Sequence, residues 1–199
     1  MKRLILVTSP PASGKTYVSK KLAERLDHVV YLDKDTLAPL SKKIFQVAGE
    51  PYDRSSRFFE KNVRDAEYDA ILSLAMEAID YEGTVLINAP FSKEIRNREF
   101  MGMLRGRLAE KEARLTVIWV KTDIDVVKAR MIDRNSERDK WKLENWESYI
   151  ASCDFSIPKE LDCGEDSLFI FENSTEEEFH HSLAKACSVL EGKTIFAPM

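Results

Sequence analysis

The chain has 199 residues with 34 acidic and 30 basic side chains, a formal charge of −4. That mild acidity argues against a bulk polyanion-binding surface, although it leaves room for a local basic cleft. Hydrophobic residues make up 44% and charged residues 32%, the balance of a globular domain rather than a fibrous or linker-rich chain. No run nears the roughly 20 apolar residues that cross a bilayer. Lys2 and Arg3 precede only four aliphatics, too few for a signal-peptide core. Cys153, Cys163 and Cys187 form no C-x-x-C pair, so a reduced, cytoplasmic protein without a disulfide framework or zinc site is expected. His28, His180 and His181 have no metal-ligand spacing and read as surface or structural residues.

In chain order, short aliphatic runs alternate with helical patterns. Leu4–Val7, Val29–Leu32, Thr84–Ile87, Leu115–Val120 and Leu168–Phe171 read as five strands. Their runs are continuous rather than alternating, which suits parallel strands covered on both faces. Between them, Val18, Leu22 and Leu26 recur at helical spacing. Val63, Ala66, Ala70, Ile71, Leu74, Ala75, Ala78 and Ile79 outline a long helix ending near Gly83. Val126, Val127, Met131 and Ile132 outline another, and Phe179, Leu183, Ala186, Cys187 and Leu190 a last one, with a start signal at Ser174/Thr175 and a stop at Gly192. The alternation predicts an α/β fold with a parallel sheet and right-handed crossovers. A single domain over 1–199 is expected, with two movable pieces above the sheet: about 36–62, polar, basic and aromatic, and about 130–148, charge-rich with two tryptophans.

The first strand runs into Ser9-Pro10-Pro11-Ala12-Ser13-Gly14-Lys15-Thr16. This matches the phosphate-loop pattern of Gly, four residues, Gly-Lys-Ser/Thr, with Ser9 in place of the first glycine. Backbone N–H groups of such a loop cradle phosphate oxygens with help from the helix dipole, and Ser9, Pro11, Ala12, Ser13 and Gly14 are the residues expected to shape that cradle, the proline without an N–H of its own. Lys15 supplies a point charge to the outer phosphates, and Thr16 a hydroxyl to Mg²⁺. Ser9 avoids the need for positive φ if Pro10 and Pro11 stiffen the turn. The simpler alternative is a Ser-Gly-Lys-Thr turn that only caps a helix, but the preceding strand and following helix supply the context the motif requires.

Ligands of parallel sheets bind beyond the carboxyl ends of the strands. Asp33 and Asp35 end the second strand and are expected at the same crevice as Lys15. Asp33 is assigned to the metal or its water shell, and Asp35 to orienting or deprotonating an attacking hydroxyl. Asp35 could instead simply cap the next helix. The third strand ends in Asn88-Ala89-Pro90-Phe91, where Asn88 and Phe91 are candidates to touch the acceptor or merely to form a turn. Arg130, Arg134 and Arg138 recur at spacing four and would share one face of a continuous helix, either as a lid whose guanidinium groups meet transferring phosphate or as a solvated face with internal pairs to Glu137 and Asp139. Lys42, Lys43, Tyr52, Arg54, Arg57, Phe58 and Phe59 could bind an anionic or ring-bearing acceptor, with Arg54 and Arg57 as the chosen contacts, or could form a snorkelling helix face. Asn173-Ser174, after the fifth strand, is the expected seat of an adenine ring.

Taken together, the phosphate loop, Tyr31-Leu32-Asp33-Lys34-Asp35, the Asn88-Ala89-Pro90-Phe91 corner and Arg130…Arg134…Arg138-Asp139 resemble the phosphate-loop kinase-like proteins often labelled AAA-type ATP-binding proteins. Zeta toxins, chloramphenicol phosphotransferase, gluconate and shikimate kinases and polynucleotide kinase are relatives of that group. The resemblance covers roughly residues 3–175. It implies a P-loop NTPase fold of the nucleoside/nucleotide kinase type, with three layers and five parallel strands in the order 2-3-1-4-5. It also implies an acceptor pocket built by the segment after Asp35, and a lid bearing the arginines. Asp35 matches the acceptor-activating acid of these kinases, and Arg130 and Arg134 their lid arginines. Ser9 and Asn88 depart from the pattern, the latter replacing an acid common in the relatives. The expected activity is transfer of the γ-phosphoryl of Mg·ATP to a hydroxyl of a small-molecule or nucleotide-like acceptor. Rival readings are a 5′-hydroxyl polynucleotide kinase, disfavoured by the net charge, and a non-catalytic ATP-binding switch or ATPase. A monomer or homodimer with ATP and Mg²⁺ as cofactors and a small-molecule acceptor is expected, with no nucleic-acid or membrane partner.

Overall fold

The computed structural model describes residues 2–158 and 167–191. Five strands, β1 (Lys2–Thr8), β2 (Val29–Asp33), β3 (Thr84–Asn88), β4 (Ala113–Lys121) and β5 (Ser167–Glu172), form one parallel sheet. Its order is β2-β3-β1-β4-β5. All five expected strands are present, and the aliphatic runs explain why. Leu4 to Val7 and Val85 to Ile87 are fully buried because helices cover both faces. On one face Leu4, Leu6, Val85, Ile87 and Val117 pack against α4 (Arg64–Tyr81) and α5 (Arg98–Ala109). On the other, Ile5, Val7, Leu86, Ile118 and Val120 pack against α1 (Lys15–Arg25) and α9 (Glu176–Leu190). The start of α9 is the expected one: Thr175 and Glu178 form a reciprocal capping box. The expected stop at Gly192 lies outside the described residues, as does Cys163.

Two readings need correction. The buried stripe of α4 is Glu67, Tyr68, Ile71, Leu72, Ala75, Met76 and Ile79, so Ala66, Ala70 and Leu74 of the expected stripe face outward. α5 was not foreseen. Its apolar residues are spread thinly among arginines, and its start depends on Asn97, whose side chain accepts from the N–H groups of Glu99 and Phe100.

The two expected movable pieces are helical. After β2 come a 3-10 turn (Lys34–Leu37), α2 (Ala38–Ala48) and α3 (Arg57–Asn62). Phe45, Phe59 and Val63 form a small core there with Phe58 against it, so most of the aromatic residues of this segment pack on one another. After β4 come α6 (Ile124–Arg134), α7 (Glu137–Glu144) and α8 (Trp146–Ser152). Asn135, at φ 44, ends α6, so the arginine series does not run along one continuous helix; the side chain of Arg138 lies outside the described ones. Val127, Met131 and Tyr149 form the core of this second piece, and Ala12 of the loop packs against it.

Candidate active site

The loop after β1 turns on two residues with positive φ, Ala12 (φ 63) and Gly14 (φ 83), whereas Ser9 is not among the residues with positive φ. This removes the need for glycine at position 9: Ser9 is buried, and its hydroxyl donates to the Pro10 carbonyl at 2.9 Å. Gly14 is required twice over. Its φ lies in the region that side chains avoid, and a Cβ there would sit 2.5 Å from Asn173 Nδ2 and 3.2 Å from an Arg130 nitrogen. Those two residues approach because the loop is braced from behind. The Ser13 carbonyl accepts from Asn173 Nδ2 (2.7 Å), Thr122 Oγ1 (3.0 Å) and Arg130 (3.4 Å), and Arg130 also donates to the Asn173 carbonyl (2.7 Å). Burial pulls the Arg130 guanidinium below its ordinary pKa.

Asn88, at the end of β3, is the hub of the crevice. Its Oδ1 accepts from Lys15 Nζ at 3.0 Å, while its Nδ2 donates to Asp33 Oδ2 at 2.8 Å and to Thr16 Oγ1 at 3.2 Å. An ammonium can only donate and a carboxylate can only accept, so the amide orientation is fixed by its neighbours. Asp33 has both oxygens engaged. Oδ2 also accepts from Tyr31 Oη (2.9 Å), and Oδ1 accepts from the Asp35 backbone N–H (2.9 Å). Burial, and then the hydrogen bond to Asp33, push the Tyr31 phenol above its ordinary value. The Thr16 hydroxyl and the Asp33 carboxylate, both on Asn88 Nδ2, are the groups here that could hold a Mg²⁺ ion. A small cation that retains waters and takes phosphate oxygens fits this donor set.

Asp35 lines the same cleft and is exposed. Its Oδ1 accepts from Arg54 at 3.0 Å, while its Oδ2 has no hydrogen-bond partner among the described residues. Behind Arg54 is a group that sequence reasoning missed. Glu67, 4% exposed, accepts from Arg54 (2.6 Å), from Lys34 and from the Ser41 hydroxyl. Burial lowers the Lys34 pKa and outweighs the opposing pull of Glu67. For Arg54 the balance is reversed: burial lowers it, but Glu67 and Asp35 together raise it further. A signal existed, because Val63, Glu67, Ile71, Ala75 and Ile79 recur at spacing four. An acid within an apolar stripe marks a buried partner for a base.

Over the loop, Arg134 makes a two-pronged contact with the buried Asp139 (2.8 and 2.6 Å), which Lys142 also approaches at 3.4 Å. Lys142 and Arg64 also line the cleft, and neither was singled out from the sequence. The cleft, of about 640 Å³, holds Lys15, Asp35, Arg54, Arg130 and Arg134 together. A smaller recess of about 430 Å³ adjoins Gly14, between Tyr17, Phe179, Asn173 and Arg130. Two expected contacts are not brought in. Phe91 is fully buried and packs on Tyr68 at 5.1 Å between ring centroids. Arg57 is exposed on α3 and does not line the cleft.

This arrangement, a phosphate loop on a 2-3-1-4-5 parallel sheet with acids at the strand ends, coincides with a family match. The family described as an AAA domain (AAA_33) matches residues 4–155. The chain belongs to this family, and its fold is that of the phosphate-loop kinase-like proteins. No curated protein sequence matches it significantly. Among solved structures it is similar to a sugar kinase from Janibacter sp. HTCC2649, with TM-score 0.56 and 16% identity over 96% of this chain and 95% of that one. It is also similar to the tunicamycin resistance protein of Deinococcus radiodurans, with TM-score 0.56 and 15% identity over 100% of both chains. A third likeness is to Chaetomium thermophilum Kti12 in complex with ADP-AlF3, with TM-score 0.54 and 19% identity over 92% of this chain and 96% of that one. Among the described residues, no helix is long and apolar enough to cross a membrane.

Proposed function

We propose that the chain transfers the γ-phosphoryl group of Mg·ATP to a hydroxyl of a small-molecule acceptor. The observation that carries this reading is that the phosphate loop and Asp35 line one and the same cleft. The ADP-AlF3 held by Kti12 and the kinase described for the Janibacter protein support it. The triphosphate lies in the amide nest of residues 9–16, and the adenine ring lies in the recess beside Asn173, Tyr17 and Phe179. Thr16 and Asp33 would hold Mg²⁺, which would supply neutralisation of the charge developing on the outer phosphates. Lys15, Arg130 and Arg134 share that task. Asp35 Oδ2 accepts the hydrogen bond of the attacking hydroxyl. As the new P–O bond forms and the bond to the β–γ bridging oxygen breaks, Asp35 takes the hydroxyl proton and ADP departs.

The test is transfer of label from γ-labelled ATP across alcohols, sugars, nucleosides and short 5′-hydroxyl oligonucleotides. The reading expects label on a small-molecule hydroxyl, well above that released as inorganic phosphate. Label confined to oligonucleotides makes the chain a nucleic-acid kinase, and ATP bound without transfer makes it a switch.

A further inference from the structure

The acceptor end of the cleft looks basic, with Lys34, Arg54, Arg64 and Lys93 all along its wall. Each is already matched by an acid of the chain. Lys34 and Arg54 converge on the buried Glu67, and Arg54 also holds Asp35. Arg64 is held by Glu94, whose side chain is 10% exposed, and lies 2.9 Å from Asp65 and 3.7 Å from Glu60. Lys93 pairs with Glu60 at 2.7 Å. The two guanidinium planes also lie against aromatic rings: Arg54 5.2 Å from the Phe59 centroid and Arg64 4.6 Å from that of Tyr68. These cations are therefore part of the wall.

An anionic acceptor that takes Arg54 or Arg64 as its main counter-charge competes for it with Glu67 or Glu94. That competition weakens the pairing of a buried carboxylate, taking from Glu94 its guanidinium and from Glu67 one of its two bases, which is costly. A neutral acceptor disturbs none of these pairs. Its hydroxyls can donate to Asp35 Oδ2, which has no hydrogen-bond partner among the described residues, and to carboxylate lone pairs that the bases leave open. Resting on the phosphotransfer reading above, we propose that the acceptor is an uncharged polyhydroxyl compound, and that Glu67 is a positioning residue that excludes carboxylate- and phosphate-bearing acceptors by holding Lys34 and Arg54.

The experiment titrates the Mg·ADP-loaded full chain by calorimetry with probes of matched skeleton: glucose, gluconate and glucose 6-phosphate, and myo-inositol and its 1-phosphate. Transfer of γ-label to the same probes is followed in parallel. At least one neutral probe is expected to bind, tenfold or more tighter than its charged counterparts. Equal or tighter binding of the charged probes, or no binding of either neutral one, overturns the proposal. In Glu67→Gln, with folding checked by thermal melting, the preference is expected to shrink at least fivefold because Lys34 and Arg54 lose their shared counter-charge. An unchanged preference in a folded variant also overturns it. Neutral binding without any transfer defeats the phosphotransfer reading and leaves only the preference for neutral ligands and the role of Glu67 in it, whereas efficient transfer to a charged probe upholds phosphotransfer and overturns this proposal.

Discussion

Asn88 Nδ2 lies 2.8 Å from Asp33 Oδ2, and through its other amide atom the same side chain holds Lys15 at 3.0 Å. One neutral residue thus joins the end of β3 to the end of β2 and to the phosphate loop. Asn88→Ala removes the donor to a half-buried carboxylate and the acceptor of a lysine. The expected stability loss is about 1–3 kcal/mol, read from denaturant midpoints, together with weaker ATP binding as Lys15 loses its orientation. Unchanged stability and unchanged affinity would show that Asn88 is only a strand-end turn residue.

Gly14→Ala tests the bracing of the loop. The new methyl meets Asn173 at 2.5 Å and sits on a backbone of φ +83. Strain of about 1–3 kcal/mol is expected. Because the strain falls on the amides that cradle phosphate, ATP affinity measured by calorimetry is expected to fall roughly tenfold or more, the effect of ~1.4 kcal/mol. A stable variant that binds ATP normally would mean that Asn173 and Arg130 do not brace the loop.

The half-buried phenol of Tyr31 and the buried phenol of Tyr68 make an alkaline prediction. Burial above all raises both above their ordinary 10.0, with Asp33 adding to the effect at Tyr31 and Glu94 at Tyr68. Above pH 10 the folded chain then holds protons that the unfolded chain has released, so stability is full below that pH and falls as pH rises. Ultraviolet titration is expected to show these phenolates appearing only as the chain unfolds. In Tyr31→Phe, stability is expected to fall less steeply above pH 10 than in the parent. An equal slope would argue against the Tyr31–Asp33 bond.

Much of this was legible in the sequence because backbone chemistry carried it. Val/Ile/Leu runs specify buried parallel strands, and Gly-Lys-Thr after the first of them specifies the loop. The acceptor wall was harder to read, because its charges are paired across distant parts of the chain. Nothing local to Lys34 or Arg54 names Glu67 as their partner. Arg57 read as a contact beside Arg54, yet the turn of α3 leaves it outside the cleft. Phe91, at the strand-end corner, went to the core because Tyr68 of α4 offers it a ring to pack on. The arginine series was interrupted by Asn135, a residue that readily takes the left-handed turn. The stripe of α4 was shifted because alanines fit either face, whereas Glu67 was buried by its ion pairs.

The most direct test compares wild type with Asp35→Asn for transfer of the γ-phosphoryl of Mg·ATP to a hydroxyl. The variant is expected to bind ATP within about twofold of wild type, since Asp35 lies beyond the loop, but to transfer about 10²–10⁴-fold more slowly, the usual contribution of a positioned proton acceptor. Equal transfer rates in the two proteins, or no transfer by wild type to any hydroxyl, would contradict the account.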